Sequence, residues 1–245
     1  PISDTAPCVT SFFPSEPPPS GHRPRVGPYE IVRPLGTGGM AQVFLAIDPR
    51  RTGVHRLVAL KTLRDRVADS EEHLAMFHDE AHIASLIHHP NVCRVMDYGF
   101  ARGRPFLAME YVCGENLRAV HDRFAKDGPD AHRLPAAERV ARMVTLVAEA
   151  ARGLHATHEL RAVDGDSIEA VHRDVTPDNI LVSCGGTVKV VDFGLVKAVN
   201  RRHQTETGIL KGKVAYVAPE GVGGRPVDRR ADVFSLGAIL WELLV

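Results

Sequence analysis

Two short words constrain this chain more than anything else in it. They are His172-Arg173-Asp174-Val175-Thr176-Pro177-Asp178-Asn179 and, a short interval later, Asp192-Phe193-Gly194. Either could arise by chance, and an isolated Asp in a loop is most often a turn former. Both together, in this order and this close, are hard to obtain by accident. A length of 245 residues allows one large domain, or two small lobes, with a sizeable core.

The first 27 residues, with Pro17-Pro18-Pro19 at their centre, are rich in proline and almost without periodicity. They read as a disordered arm at 1–27, a solvated tail more readily than a Pro-rich ligand for a partner domain. From Tyr29 short strand-like runs follow: Tyr29–Leu35, Gln42–Ile47 and Leu57–Leu63. Met76, Glu80, Ile83, Ala84 and Ile87 then recur at helical spacing on one face, which leaves Glu71, Glu72 and Asp79 toward solvent. Two further strand-like runs, Cys93–Phe100 and Pro105–Tyr111, precede helical stretches at Leu117–Lys126 and Pro135–Leu160. The pattern is α+β, with a β-rich half followed by a helical half.

Thirty basic and thirty acidic residues cancel. Nothing in that balance points to nucleic acid or to a charged membrane surface. No apolar run reaches the roughly 18 residues of a membrane span, and no signal peptide is expected. Cys8, Cys93, Cys113 and Cys184 form no C-x-x-C pair. Scattered thiols fit a reducing, cytoplasmic setting better than a disulfide framework.

Gly36-Thr37-Gly38-Gly39-Met40-Ala41-Gln42-Val43 joins two of the strand-like runs. Glycines there would let a backbone approach phosphates and offer N–H donors. By itself a Gly-rich hairpin turn explains the run about equally well. Its position before Val58-Ala59-Leu60-Lys61, and far upstream of Ala218-Pro219-Glu220, adds weight to the phosphate reading.

Taken in order, these words resemble the catalytic domain of eukaryotic-like (Hanks-type) bacterial serine/threonine protein kinases. The resemblance implies a bilobal fold at 28–245, with a β-rich N-lobe at about 28–112 and a helical C-lobe at about 113–245. It implies ATP and Mg²⁺ as cofactors and proteins as substrates. Asp174 would take or orient the proton of the attacking hydroxyl, and Asn179 and Asp192 would hold the metal, for which amide and carboxylate oxygens are suited. Lys61 would hold the ATP phosphates and pair with Glu80. Gly36, Gly38 and Gly39 would cover the phosphates, although Ala41 stands where the family has a third glycine. Leu35, Val43, Ala59 and Leu181 would form the adenine slot, with Met109 as gatekeeper and Glu110 and Val112 as hinge backbone. Aliphatic residues at such spacings are more often plain core, so this slot depends on the register. Cys113 would lie at the hinge exit, within reach of thiol reagents.

Arg173 before Asp174 implies activation by phosphate in the segment from Asp192 to Glu220. There Thr205 and Thr207 resemble the paired phosphothreonines of bacterial Hanks-type kinases. One departure stands out. Thr176 and Lys213 occupy places where serine/threonine kinases usually carry Lys and Thr, respectively. Lys213 is therefore expected to reach back and supply the ammonium that Thr176 cannot, since electrostatic stabilisation depends on where a charge sits. The exchange, with the insertion at Arg161–Ala170, is similar to myxobacterial-type kinases. It argues only weakly against a tyrosine kinase.

Two other patterns are set aside. His78 and His82 stand at i and i+4 as in a helical zinc site, but Asp79 occupies the place of the required Glu. Gly208–Val214 is one residue short of a phosphate-binding Walker loop and lacks its final hydroxyl. Asp232–Gly237 resembles the start of the large lobe's central helix, in which the chain ends at Val245. Trp241, Leu243 and Leu244 are then expected to lack cover, at roughly 1.5–3 kcal/mol each, a serious loss against a typical total of about 5–15 kcal/mol. Two readings follow: an active kinase, or a non-catalytic kinase-like binding module inactive through truncation. A small-molecule phosphotransferase of the same fold ranks third, because the A-P-E segment suits a protein substrate.

Overall fold

Alternation of apolar and polar residues between Arg25 and Glu110 builds a six-stranded antiparallel sheet. Its strands are β1 (Arg25–Val26), β2 (Tyr29–Thr37), β3 (Ala41–Ile47), β4 (Leu57–Leu63), β5 (Val95–Ala101) and β6 (Arg104–Glu110), in the spatial order β1-β2-β3-β4-β6-β5. The computed structural model describes residues 23–193 and 214–245, apart from 66, 126–127, 129, 131–133, 163 and 223–224. Arg25 and Val26 lie within the arm expected at 1–27, yet they pair with Glu30 and Tyr29. The sheet thus begins before the expected boundary, because a short edge strand carries too little pattern to be read.

Register assigns the two faces. Val43 pairs with Lys61, Lys61 with Leu107 and Ala59 with Met109, and residues directly opposite share a face. Ala59, Lys61, Leu63, Leu107 and Met109 therefore look one way, and this face packs against Phe77 and Ala81. Val58, Leu60, Phe106 and Ala108 look the other way, onto Tyr29 and Ala46. Two register shifts in β2, between Ile31 and Arg33 and between Pro34 and Gly36, bend that strand ahead of the glycine turn.

Phe77 and Ala81 belong to α1 (Glu71–Leu86). The helix is started by the Ser70 hydroxyl, which accepts the His73 N–H at 3.4 Å. Glu71 and Glu72 follow in the first turn, where the helix dipole favours carboxylates. Among its buried residues, Met76, Phe77, Ala81 and Ala84 are apolar and Glu80 alone is charged.

The second half holds α2 (Leu117–Phe124), α3 (Ala136–His158), α4 (Pro219–Val222) and α5 (Arg230–Leu244). Beside them lies a small sheet of β7 (Gly114–Asn116), β8 (Ile180–Ser183) and β9 (Val188–Val190). Met143, Val147, Ala150 and Leu154 line one face of α3 and pack on Val188, Val190, Leu236, Ile239 and Leu243. Such burial stabilises by roughly 1.5–3 kcal/mol for each large side chain. Gly153 lets α3 close on the loop before β5, since a Cβ there would stand 2.6 Å from the Asn91 carbonyl oxygen. Asn91 in turn donates its amide to Val188 and accepts the Val190 N–H, tying that loop to β9.

The α+β character and the order of a β-rich then a helical half match the sequence reading. At the end of the chain the expectation holds for two residues and fails for one. Trp241 and Leu244 are exposed, whereas Leu243 is buried against α3. The helix turns Leu243 inward, with Leu236 and Ile239, because they share one face at helical spacing. Among the described residues no helix is long and apolar enough to cross a membrane.

Candidate active site

Lys61 is fixed by strand pairing and reaches Glu80 of α1, Nζ to Oε1, at 2.6 Å. The same ammonium lies 3.0 Å from Oδ1 of Asp192. Burial works against the charge on Lys61, but the Asp192 and Glu80 carboxylates outweigh it and raise its pKa. The Lys61 ammonium, acting against burial, holds the Asp192 carboxyl below the ordinary carboxylate range. Both directions favour the charged pair. Asp192 also has a left-handed backbone, φ 56°, which an L-residue adopts only at a cost.

The second half of the site is a loop and a one-turn 3₁₀ segment at Pro177–Asn179, which follows Asp174. Asn179 donates its amide to the Asp174 carbonyl at 2.8 Å and to Asp174 Oδ2 at 3.0 Å. The amide nitrogen is thus engaged, and the side-chain oxygen is the atom Asn179 can offer a cation. Val191 donates its N–H to the Asn179 carbonyl, which brings the Asp192 turn alongside.

His172 is fully buried beneath this loop. Its Nε2 lies 3.0 Å from the Val191 carbonyl and its Nδ1 accepts the Asp174 N–H, so the ring is the neutral Nε2–H tautomer. Burial pushes its pKa below the ordinary imidazole range, opposed in part by the Asp232 charge. The ring also packs against Phe193, tilted by 43° with centroids 4.8 Å apart.

Sequence reasoning placed Asp232 only at the start of a helix and missed what it does. Its carboxylate, buried in α5, accepts the N–H of His172 and of Arg173, each at 2.8 Å, and contacts His158 Nε2 at 2.7 Å. Arg173 is held there with φ 64°. The available signal was an acid in the first turn of a mostly apolar helix. Also missed was the fixing of Glu110, whose carboxylate accepts the Arg94 N–H at 2.8 Å and pairs with Lys189 at 2.6 Å. Two polar atoms of the loop, Arg173 Nε and Thr176 Oγ1, are buried without a hydrogen-bond partner among the described residues.

Of the residues expected at the adenine slot, register puts Val43, Ala59 and Met109 on the sheet face that carries Lys61. Gly36 pairs with Val43 at the turn, and Gly38 donates its N–H to the Ala41 carbonyl. Gly36, Gly38 and Gly39 are exposed, Leu35 is 37% exposed, and Met109 is buried behind them. Val112 and Leu181 are half-buried, the latter paired with Asn116 across β7 and β8. Cys113 is half-buried, its Sγ 3.6 Å from Cys184 Sγ. His78 and His82 stack with centroids 6.4 Å apart on the outer face of α1, and no cluster of three metal-ligating side chains exists among the described residues. Thr205, Thr207 and Lys213 lie outside the described residues.

Comparison with known proteins gives the family and the fold. The family model described as a protein kinase domain matches residues 29–245. The chain is 40% identical over 218 residues to the tyrosine-protein kinase MasK of Myxococcus xanthus, covering 89% of this chain and 33% of that protein. It is 37% identical over 222 residues to the serine/threonine-protein kinase PknB of Mycolicibacterium smegmatis, covering 88% and 32%. Among solved structures, the Mycobacterium tuberculosis PknI kinase domain superposes with a TM-score of 0.62 at 28% identity, over 90% of this chain and 75% of that one. The chain spans about a third of the length of these curated relatives. On the matched length and the identities, it belongs to the protein kinase domain family.

Proposed function

We propose that this chain is the catalytic domain of an ATP-dependent protein kinase that moves the γ-phosphate to serine or threonine hydroxyls. The observation that carries the reading is the closed network of Lys61, Glu80 and Asp192 beside the Asp174–Asn179 pair. It sets a fixed cation and two anionic groups at the place where phosphate charge must be balanced.

In this reading Lys61 neutralises the phosphates of ATP, and Glu80 keeps that ammonium in place. Asp174, its carboxylate steadied by Asn179, orients the attacking hydroxyl and takes its proton. Asp192 and the Asn179 oxygen fit a hard divalent cation by donor chemistry, and Mg²⁺ bound there would balance the charge on the transferred group. Leu35, Gly36, Gly38, Gly39, Val43, Ala59, Met109, Glu110, Val112 and Leu181 enclose the nucleotide. Lys213 supplies a further ammonium that Thr176 cannot, and Thr205 and Thr207 are the autophosphorylated positions. Arg173 Nε, without a hydrogen-bond partner among the described residues, is consistent with a phosphate partner for that guanidinium.

A tyrosine acceptor is the second reading. It is favoured by the relative named as a tyrosine kinase. Relatives named as serine/threonine kinases favour the first, and nothing observed favours a non-catalytic module. Phosphoamino-acid analysis of the autophosphorylated protein decides between acceptors. Phosphoserine or phosphothreonine supports the reading, and phosphotyrosine alone overturns it. Peptide mapping that finds neither Thr205 nor Thr207 modified in active enzyme removes those two sites. Undiminished turnover in Lys213→Ala removes the role given to Lys213.

A further inference from the structure

The pairing of β7 with β8 runs Gly114 to Ser183, Glu115 to Val182 and Asn116 to Leu181. One step further along this ladder Cys113 falls opposite Cys184, and the Cys184 N–H donates to the Cys113 carbonyl at 2.8 Å. Residues that face each other across an antiparallel ladder share one side of the sheet. The two sulfurs accordingly lie 3.6 Å apart. In a hydrogen-bonded pair the Cα atoms stand about 5.5 Å apart, which suits a disulfide, whose sulfurs are bonded at about 2.05 Å. Side-chain rotation can close the remaining gap with the backbone left in place.

The backbone on both sides is fixed. Gly114, beside Cys113, lies so close to β8 that a Cβ there would stand 2.0 Å from the Val182 carbonyl oxygen. The turn that carries Cys184 is closed by Ser183, which exchanges hydrogen bonds with Gly186 and Thr187. Access differs between the two thiol positions: Cys184 is exposed and Cys113 is half-buried. Both line a groove of about 550 Å³ with Tyr111, Val112, Ser183 and Lys189. A space of that size takes a small molecule.

We propose that Cys113 and Cys184 are a thiol–disulfide exchange site for small disulfides. Exposed Cys184 takes up the small thiol, and Cys113 resolves it. In the first step the Cys184 thiolate attacks the small disulfide, and one small thiolate leaves. In the second the Cys113 thiolate attacks Cys184 Sγ, the mixed disulfide breaks, and the other small thiolate leaves. The two protein thiols give up two protons and two electrons, and the small disulfide is reduced to two thiols. The product is a Cys113–Cys184 bond that ties the segment entering β7 to the β8–β9 turn. Val112 and Leu181, both placed at the proposed nucleotide slot, flank that tie in sequence, so it fixes this edge of the slot. In a reducing setting the bond forms only when the disulfide share of the thiol pool rises. The exchange chemistry itself is independent of the kinase reading.

The test is a redox titration of the full chain in mixtures of oxidised and reduced glutathione, quenched by alkylation and read by peptide mapping without reduction. A peptide linked through Cys113 and Cys184 is the expected product. Its half-point should come at a disulfide share at least about tenfold lower than in the chain unfolded in urea, because the fold raises the effective concentration of one thiol beside the other. Cys113→Ser should stop at the mixed disulfide, with glutathione on Cys184. Cys184→Ser should leave Cys113 unlinked to any protein cysteine. The wild-type map needs no variant, so it decides the matter where a variant does not fold. Glutathione retained on Cys184 in the wild type, Cys184 linked only to Cys8 or Cys93, or equal half-points in the folded and unfolded chain would each overturn the proposal. Phosphate transfer is measured separately, so either reading can fail without the other.

Discussion

Asp232 Oδ1 accepts the backbone N–H of Arg173 at 2.8 Å, and Arg173 stands there at φ 64°. A carboxylate buried in α5 thus holds the residue before Asp174 in a conformation it would not choose alone. His172 N–H and His158 meet the other oxygen, so one side chain joins the loop, α3 and α5. The loop bearing the proposed base is positioned from beneath by the helical half.

Replacing Asp232 by Asn turns one acceptor into a donor that faces an N–H or the His158 ring. Hydrogen bonds to charged groups contribute about 1.5–3 kcal/mol, so a loss of about 3 kcal/mol is expected from urea unfolding. Turnover should fall with the KM for ATP little changed, because the proposed nucleotide slot is lined by other residues. Wild-type stability in Asp232→Asn would show that the clamp is idle.

Lys61→Met leaves Glu80 buried without its cation. Breaking one partner of a buried pair costs about 3–5 kcal/mol, and Lys61 and Glu80 side chains are only 11% and 8% exposed. Chemical denaturation together with phosphate-transfer rate checks it. Both should drop, and a transfer rate within a few fold of wild type would contradict the role of Lys61.

Asp192→Asn removes the carboxylate that pairs with Lys61 and that is proposed to hold a divalent cation. The expected outcome is loss of about 100-fold or more in transfer, since electrostatic stabilisation is usually the largest catalytic contribution. Fluorescent-nucleotide binding measured without added metal should weaken far less. Equal loss in both measurements would make Asp192 a folding residue only.

The pH dependence has a definite sign. His172 has a folded pKa below its unfolded value of about 6.5. Below that pH the unfolded chain takes up a proton that the buried ring refuses, so stability falls as pH drops and this penalty is absent above it. ¹⁵N spectra should keep the His172 ring as the neutral Nε2–H form at pH 6. Full protonation there in the folded protein would contradict the tautomer drawn from Val191 and Asp174. Asp192, held below its ordinary value by Lys61, adds stability above the usual carboxylate range that is lost on further acidification.

Much of this was legible because the chemistry is written in short, contiguous words. Lys61, Glu80, Asp174, Asn179 and Asp192 converge as their motifs imply, and β4 runs from Leu57 to Leu63 as the apolar pattern indicated. The rest depends on partners far away in sequence. Asp232 reads as an ordinary acid near a helix start until His172 and Arg173 are seen above it. β8 and β9 are too short to show a period, and they exist because β7 and the core beneath them complete the pairing. Arg118 gave no signal at all, since its partners Asp178, Tyr216 and Glu242 lie 60, 98 and 124 residues downstream.

The central question is whether Asp174 is a base for phosphate transfer. Phosphate incorporation with Mg²⁺ and ATP, followed by intact mass and set against Asp174→Asn, addresses this directly. Incorporation in the wild-type chain that disappears in the variant is the predicted result. Equal incorporation in both, or none in a wild-type chain that still melts cooperatively, would contradict it.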